Sequence, residues 1–412
     1  MRSIASRMSV MSGEGALAVF ARAKELEAQG RSIIHLELGE PDFHPGPSVI
    51  DSAARALAEG KDRYCAVAGV PALREEIAAY LGRTRNIQVA PSSIVLAPGC
   101  KIALFFAMMS LLEPGDEVLY PDPGFPAYPS IARGLGAVPV PFELSPRMHF
   151  QPDPSEIAAK ITPRTRLLIT NSPGNPTGTV YTDAVQRALA ALAVQHDLWV
   201  LSDEIYARIL YGGEYVSMLH YPGMAERTLI IDGFSKSFAM TGWRLGYTVA
   251  PPDVVPALLM AAVNSYTCVA EFTQYAAIDA LRDRDGTTPR MVAEFARRRA
   301  QFVTDLNTIP GFHCESPEGA FYAWVDVRGT GRKAEEVCRL LLEEAGVAAI
   351  PGAAFGPSGA PFVRFSFASS VANLREATTR ITRLFVSPTQ DPPNGRDHES
   401  PPAVHPLAHG PA

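Results

Sequence analysis

The chain has 412 residues, 47% of them hydrophobic, and its 37 Lys+Arg against 43 Asp+Glu give a formal net charge of -6. That length suits two lobes rather than one small domain, and the mild acidity lacks the basic face that nucleic-acid binding needs. No apolar run is long enough to span a membrane, and no apolar core follows the N-terminal arginines as in a secretory signal, so no membrane association and a cytoplasmic location are expected.

In chain order, residues 16–28 carry apolar side chains at helical spacing and stop at Gly30, and residues 32–38 read as a strand. From residue 47 to about 281, short apolar segments alternate with helical ones. The strand candidates are 94–97, 117–120, 138–140, 167–170, 198–202, 228–231 and 246–249. Such alternation predicts an α/β fold with a mostly parallel sheet flanked by helices. Residues 291–306 read as a long helix whose Arg297-Arg-Arg299 cluster forms a solvated face, and the chain up to about 385 reads as a second, smaller α/β lobe. Residues 387–412 hold Pro392-Pro393 and Pro401-Pro402 with almost no large apolar side chain, which predicts a disordered tail. Its His398, His405 and His409 are too irregularly spaced for a metal site. The five cysteines (65, 100, 268, 314 and 338) show no paired spacing, and the nine histidines form no His-Glu-x-x-His motif. Neither a disulfide framework nor a bound metal is expected.

The most informative stretch is Asp232-Gly-Phe-Ser-Lys-Ser-Phe-Ala-Met-Thr-Gly-Trp-Arg-Leu-Gly-Tyr247. It sets Lys236 between an apolar strand and a Gly/Thr-rich turn, where burial disfavours an ammonium and leaves an amine able to form an imine. Arg244 follows eight residues on, with forked donors that suit a phosphate. Imine plus phosphate points to pyridoxal 5'-phosphate (PLP). Three further segments carry groups that suit this cofactor. Asn171-Ser-Pro-Gly-Asn-Pro-Thr-Gly178 is a rigid turn at a strand end, where Asn175 can donate to a ring oxygen. Trp199-Val-Leu-Ser-Asp-Glu-Ile-Tyr206 is a buried strand ending in Asp203, a charge that needs a partner, with Tyr206 three residues later. Val363-Arg-Phe-Ser-Phe-Ala368 puts Arg364 on a short strand, able to grip a carboxylate with two hydrogen bonds. Taken singly, each has an ordinary reading: turn chemistry, a helix cap, a structural ion pair.

These segments, with Gly39-Glu-Pro-Asp-Phe43, Tyr64, Gly69-Val-Pro-Ala-Leu-Arg74, Pro98-Gly-Cys-Lys-Ile-Ala-Leu104, Pro114-Gly-Asp-Glu-Val118, Pro121-Asp-Pro-Gly-Phe-Pro126 and Pro351-Gly-Ala-Ala-Phe-Gly356, stand in one order at one set of spacings. In that arrangement the chain resembles the class I/II aminotransferases of PLP fold type I, in their bacterial aspartate aminotransferase-like branch, from about residue 16 to about 384. The resemblance implies a large PLP-binding domain over 47–285 and a smaller domain over 286–386 joined by the N-terminal segment 1–46.

It also implies roles. Lys236 carries the internal aldimine and moves the proton, Asp203 keeps the pyridine nitrogen protonated, and Asn175 and Tyr206 bond the ring oxygen. Phe125 stacks on the ring where many members have Trp. Backbone groups of Gly99, Cys100 and Lys101 hold the phosphate at a helix start, with Arg244 and Ser235 beside it. Many relatives have Ser three residues before the lysine, where this chain has Gly233. Tyr64 reaches the phosphate of the neighbouring subunit, which implies a homodimer with shared sites. Arg364 and Gly39 hold the α-carboxylate, and Lys101 is the clue to an aspartate or glutamate substrate passing its amino group to a 2-oxo acid such as 2-oxoglutarate. A solvated lysine at a helix start is the competing reading for Lys101. Met11-Ser-Gly-Glu-Gly15 departs from the branch pattern, and its Glu14 bears on substrate preference.

Fold does not settle the reaction, so a carbon–sulfur lyase, an aminocyclopropane-carboxylate synthase-like enzyme, an oxidase and an aromatic or neutral amino-acid aminotransferase stand as alternatives. A regulatory relative would carry a DNA-binding domain ahead of this fold, and about a dozen residues precede the first predicted helix.

Overall fold

The computed structural model describes residues 4–13 and 15–386. Its strands are β1 (Ile34–His35), β2 (Ile94–Ala97), β3 (Glu117–Asp122), β4 (Val138–Glu143), β5 (Thr165–Asn171), β6 (Trp199–Asp203), β7 (Thr228–Gly233), β8 (Gly246–Val249), β9 (His313–Cys314), β10 (Tyr322–Asp326), β11 (Val347–Ala348), β12 (Ile350–Pro351) and β13 (Phe362–Ser366). The helices are α1 (Gly15–Ala28), α2 (Pro47–Ala58), α3 (Pro71–Arg85), α4 (Cys100–Leu111), α5 (Ala127–Gly134), α6 (Pro154–Lys160), α7 (Asp183–Gln195), α8 (Val255–Val263), α9 (Glu271–Arg282), α10 (Thr287–Leu306), α11 (Ala334–Leu340) and α12 (Val371–Val386).

A seven-stranded sheet in the order β2-β8-β7-β6-β5-β3-β4 forms the centre. β8 runs antiparallel to β2 and β7, and the other four pairings are parallel, so six strands point the same way. Strands β2, β3, β5, β6 and β7 are buried almost throughout and read as near-continuous apolar runs, because helices cover both faces. Their signal is strong, and every predicted strand of this sheet is present, two with unchanged ends. β4 is the exception in burial: it lies at the edge and keeps Val138 and Glu143 exposed. The helices use ordinary start signals. α2 and α3 begin on proline, whose missing N–H is harmless in a first turn, and the Thr182 hydroxyl accepts from the Val185 N–H to cap α7.

A second sheet, β12-β13-β10-β9, is antiparallel and places Arg364 of β13 between Trp324 and Ile350. β1 pairs in parallel with β11, which brings the N-terminal part of the chain beside its C-terminal third.

Three expectations change or fall outside. The predicted strand over 32–38 contracts to the two residues of β1, since only Ile34 and His35 find a partner strand. Arg298 is not solvated: it is buried, bonded to Asp42 and Glu294, and its guanidinium faces the Phe43 and Phe295 rings. Arg299 likewise donates to the Pro317 carbonyl and packs on Tyr211, so only Arg297 keeps the solvated character expected of the cluster. Glu14, the predicted tail over 387–412 and its three histidines lie outside the described residues.

Candidate active site

The parallel strands end at one edge, and the chain leaves several of them carrying polar side chains. Asn171 ends β5, Asp203 ends β6, and β7 ends at Gly233, three residues before Lys236. Between β3 and β5 the connections diverge, one outward to β4 and the other back across β6 and β7. This is the switch point at which a doubly wound sheet opens a crevice. The cavity there, about 270 Å³, is lined by Lys236, Asp203, Tyr206, Asn175, Arg364, Phe125, Cys100, Lys101, Ser235, Arg244 and Gly39. Eleven of the residues singled out in the sequence therefore come together from segments far apart in the chain.

Asp203 is buried and accepts a 2.7 Å hydrogen bond from the Tyr128 hydroxyl, while the Ile205 N–H approaches its other oxygen at 3.4 Å. Burial pushes its carboxyl up to about 6, against the pull of these donors. Such a carboxylate gains most from a cation placed against it. The Lys236 ammonium is only partly exposed, and desolvation brings it down to about 8. Its Nζ donates to the Gly39 carbonyl at 2.6 Å, so the Gly39 loop meets the lysine directly. Beneath both residues, Arg85 is buried between Glu204 and Asp232, and Tyr247 donates to Asp232 at 2.8 Å. One arginine thus ties the ends of β6 and β7 together.

Arg364 is buried, donates to the Asn175 side-chain oxygen at 2.8 Å and to the Glu37 carbonyl at 2.6 Å, and faces the rings of Tyr322 at 4.3 Å and Phe355 at 4.7 Å. The Asn175 N–H is held by the Asn171 side chain at 2.8 Å. The arginine's direction is therefore set from four sides before a ligand arrives.

At the start of α4, Gly99 has φ +89°, and a Cβ there would sit 2.6 Å from an Arg244 Nη. Glycine is required by both backbone and neighbour. The Gly99 N–H bonds back to the Ala97 carbonyl at 2.7 Å, so the first-turn donors Cys100 and Lys101 are better anion ligands than Gly99. Gly233 has its own steric reason: a Cβ would lie 2.7 Å from the Cys100 Sγ. A side chain at 233 is incompatible with Cys100, which explains why a serine does not stand there. At the mouth, the exposed Lys101 places Nζ 5.7 Å from the Phe125 ring centre. Tyr64 is 87% exposed and does not line its own chain's cavity.

A family model described as aminotransferase class I and II matches residues 31–381. The chain belongs to the class I and II aminotransferases. The aspartate/prephenate aminotransferase of Thermus thermophilus is 40% identical over 388 residues, 93% of this chain and 99% of that protein. The aspartate aminotransferase of Geobacillus stearothermophilus is 38% identical over 388 residues, covering 92% and 98%. A solved structure of the Thermus thermophilus aspartate aminotransferase with maleate superimposes with a TM-score of 0.89 at 38% identity, covering 93% of this chain and all of that one.

As a class I/II aminotransferase the chain is a PLP-dependent transaminase, and its cavity fits that cofactor. The buried Asp203 carboxylate suits a protonated ring nitrogen, the α4 start and Arg244 suit a phosphate, and the amine of Lys236 suits the aldehyde. No helix among the described residues is long and apolar enough to cross a membrane, and the described residues hold no cluster suited to a metal ion.

The sequence did not point to Tyr128, Tyr322, Phe355 or the Arg85 network. Tyr128 had a signal, its position on the first turn of α5 three residues after Phe125, and the two rings meet edge to face at 5.6 Å. Tyr322 sits in an apolar run where an aromatic side chain reads as core, and Phe355 lies in Pro351-Gly-Ala-Ala-Phe-Gly356, which carries the resemblance without giving this ring a role.

Proposed function

We propose that this aminotransferase takes the amino group from aspartate or glutamate and passes it to a 2-oxo acid such as 2-oxoglutarate, with Lys236 as the lysine that carries the cofactor. The observation that carries this reading is that, besides Lys236 and Arg244, the cavity holds two cations at different depths, Arg364 fixed inside and Lys101 over Phe125 at the mouth. A dicarboxylic substrate has one carboxylate for each. The aspartate and aspartate/prephenate aminotransferases among the relatives, and the dicarboxylate maleate in the similar solved structure, support it.

The cofactor, when bound, supplies the electron sink that lets an amino acid's Cα–H bond break. Lys236 takes that proton on Nζ and returns it, and a pKa near 8 leaves a usable share of free amine close to neutral pH. Arg364 would orient the α-carboxylate, Asp203 would hold the proton on the ring nitrogen, and Asn175 and Tyr206 would donate to the ring oxygen. Cys100, Lys101, Ser235 and Arg244 would hold the phosphate, and Phe125 would pack on the ring. Transfer from a panel of amino donors to 2-oxoglutarate tests this. Aspartate or glutamate should give the highest kcat/KM, and a stronger aromatic or neutral donor would overturn the substrate assignment.

The same reading includes a division at residues 47 and 286 and a homodimer in which Tyr64 reaches the neighbour's phosphate. Supporting the dimer, Ile102 and Met109 of α4 and Met260 and Val263 of the adjacent α8 leave large apolar side chains exposed. Sedimentation equilibrium should give twice the chain mass; a monomer that remains fully active ends this part. A cytoplasmic location completes the reading, and recovery of the activity in a membrane or secreted fraction would remove it.

A further inference from the structure

We propose that Tyr322 is a positioning residue for the reaction: its hydroxyl supports that of Tyr206, and its ring carries the guanidinium of Arg364. This rests on the assignment of the cavity as the cofactor and substrate site, and it adds a residue that reaches both halves of that site.

Tyr322 opens β10 and pairs with Ser366 of β13, while Trp324 pairs with Arg364. Tyr322 and Arg364 are therefore diagonal neighbours on one face of an antiparallel pair, within reach of long and aromatic side chains. The result is the 4.3 Å approach of the guanidinium to the Tyr322 ring. At the other end of the ring, the Tyr322 hydroxyl lies 2.7 Å from that of Tyr206, with both residues buried. The same hydroxyl leaves no room for a side chain at residue 39, where a Cβ would sit 2.2 Å from it. Gly39 in turn offers its carbonyl to Lys236. One tyrosine thus abuts the phenol expected at the cofactor's ring oxygen, the loop that meets the lysine, and the arginine expected on the α-carboxylate.

In the chain alone, either hydroxyl of the pair can donate to the other. An anionic ring oxygen against Tyr206 removes that freedom. Tyr206 has one proton and gives it to the anion, so Tyr322 has to donate to Tyr206. A hydroxyl that accepts one hydrogen bond donates a stronger one, and the effect is larger in a buried setting. Tyr322 therefore favours the anionic ring oxygen without touching it.

The test uses PLP-loaded protein and follows the cofactor's visible absorbance against pH. Tyr206→Phe should raise the titration midpoint clearly. Tyr322→Phe should raise it by about 0.1–0.7 pH unit, the share expected if one supporting bond strengthens a charge-assisted one by roughly a tenth to a third. The double variant Tyr206→Phe/Tyr322→Phe should titrate with the Tyr206→Phe midpoint, because the second hydroxyl acts only through the first. A wild-type midpoint in Tyr322→Phe, or an additive shift in the double variant, overturns the hydroxyl role. For the ring, Tyr322→Leu should raise KM for aspartate and phenylalanine together by roughly 2- to 30-fold, while Tyr322→Phe keeps it. An unchanged KM in a folded Tyr322→Leu protein overturns that role, and Tyr322→Phe keeps the hydroxyl test open if the leucine variant does not fold. Failure of the wild-type protein to bind PLP or transfer amino groups would count against the site assignment itself. A coloured, active wild type with an unaltered Tyr322→Phe variant sinks only this inference.

Discussion

The floor of the cavity and its mouth are built differently. On the floor, Asp203, Tyr206 and Arg364 are buried, each hydrogen-bonded by residues far away in the chain. At the mouth, Lys101 is exposed on the first turn of α4, Phe125 is half-buried, and Gly15, Ala16 and Leu17 approach from the N-terminal segment. The floor places charge in low dielectric, where it shifts proton affinities and where removing one partner is expensive. The mouth keeps its charge in contact with water, where it can select among ligands at little cost to folding. In the proposed function, chemistry common to all amino acids belongs to the first region, and discrimination among them to the second.

The largest expected effect lies on the floor. Asp203→Ala should lower kcat/KM by roughly 10²- to 10⁴-fold and weaken PLP retention, since breaking a buried ion pair from one side costs about 3–5 kcal/mol. Near-native turnover in this variant would mean that the floor does not work through its charge. Arg364→Ala should follow, lowering kcat/KM by about 30- to 5,000-fold for aspartate and phenylalanine alike, because a buried, doubly bonded charge contributes about 2–5 kcal/mol. A loss confined to dicarboxylic donors would move Arg364 to the discriminating side of the comparison.

Lys101→Ala sharpens the contrast. It should lower the aspartate-to-phenylalanine ratio of kcat/KM by about 10- to 100-fold while sparing phenylalanine, the worth of one charge-assisted hydrogen bond. An unchanged ratio would leave Lys101 a solvated helix-start lysine.

The smallest effect concerns stability, at a second strand-end carboxylate outside the cavity. Asp122 ends β3 and accepts from the Ser358 N–H at 3.2 Å, and burial pushes its carboxyl up to about 6 from the usual 3.8. The folded chain therefore holds this proton more tightly than the unfolded chain, and the carboxylate costs stability above about pH 6, a cost that fades as the pH falls toward about 4. Asp122→Asn should raise Tm by about 1–2 °C at about pH 8 and leave it little changed at about pH 4. A difference that does not vary with pH would show that burial does not govern this carboxylate.

The sequence made the large sheet and most of the floor legible because both depend on local order. A buried parallel strand is an uninterrupted apolar run, and Asp203, Asn175 and Lys236 stand where such runs stop. Tyr206 was found by its closeness to Asp203 in the chain. Its partner Tyr322 is 116 positions away and sits in Phe321-Tyr-Ala-Trp-Val325, where a tyrosine looks like any other core aromatic. Arg85 ends an otherwise ordinary helix, and only tertiary packing brings it between Glu204 and Asp232. The Arg297–Arg299 cluster misled for the same reason: charge density does not reveal which member a neighbouring loop covers.

In the proposed function, Lys236 is the lysine that carries the cofactor on this floor. Borohydride reduction of PLP-loaded protein, followed by peptide mass mapping, tests it most directly. The cofactor mass should appear on the peptide containing Lys236, with the visible colour lost. Its appearance on any other lysine, with Lys236 unmodified, would contradict the account.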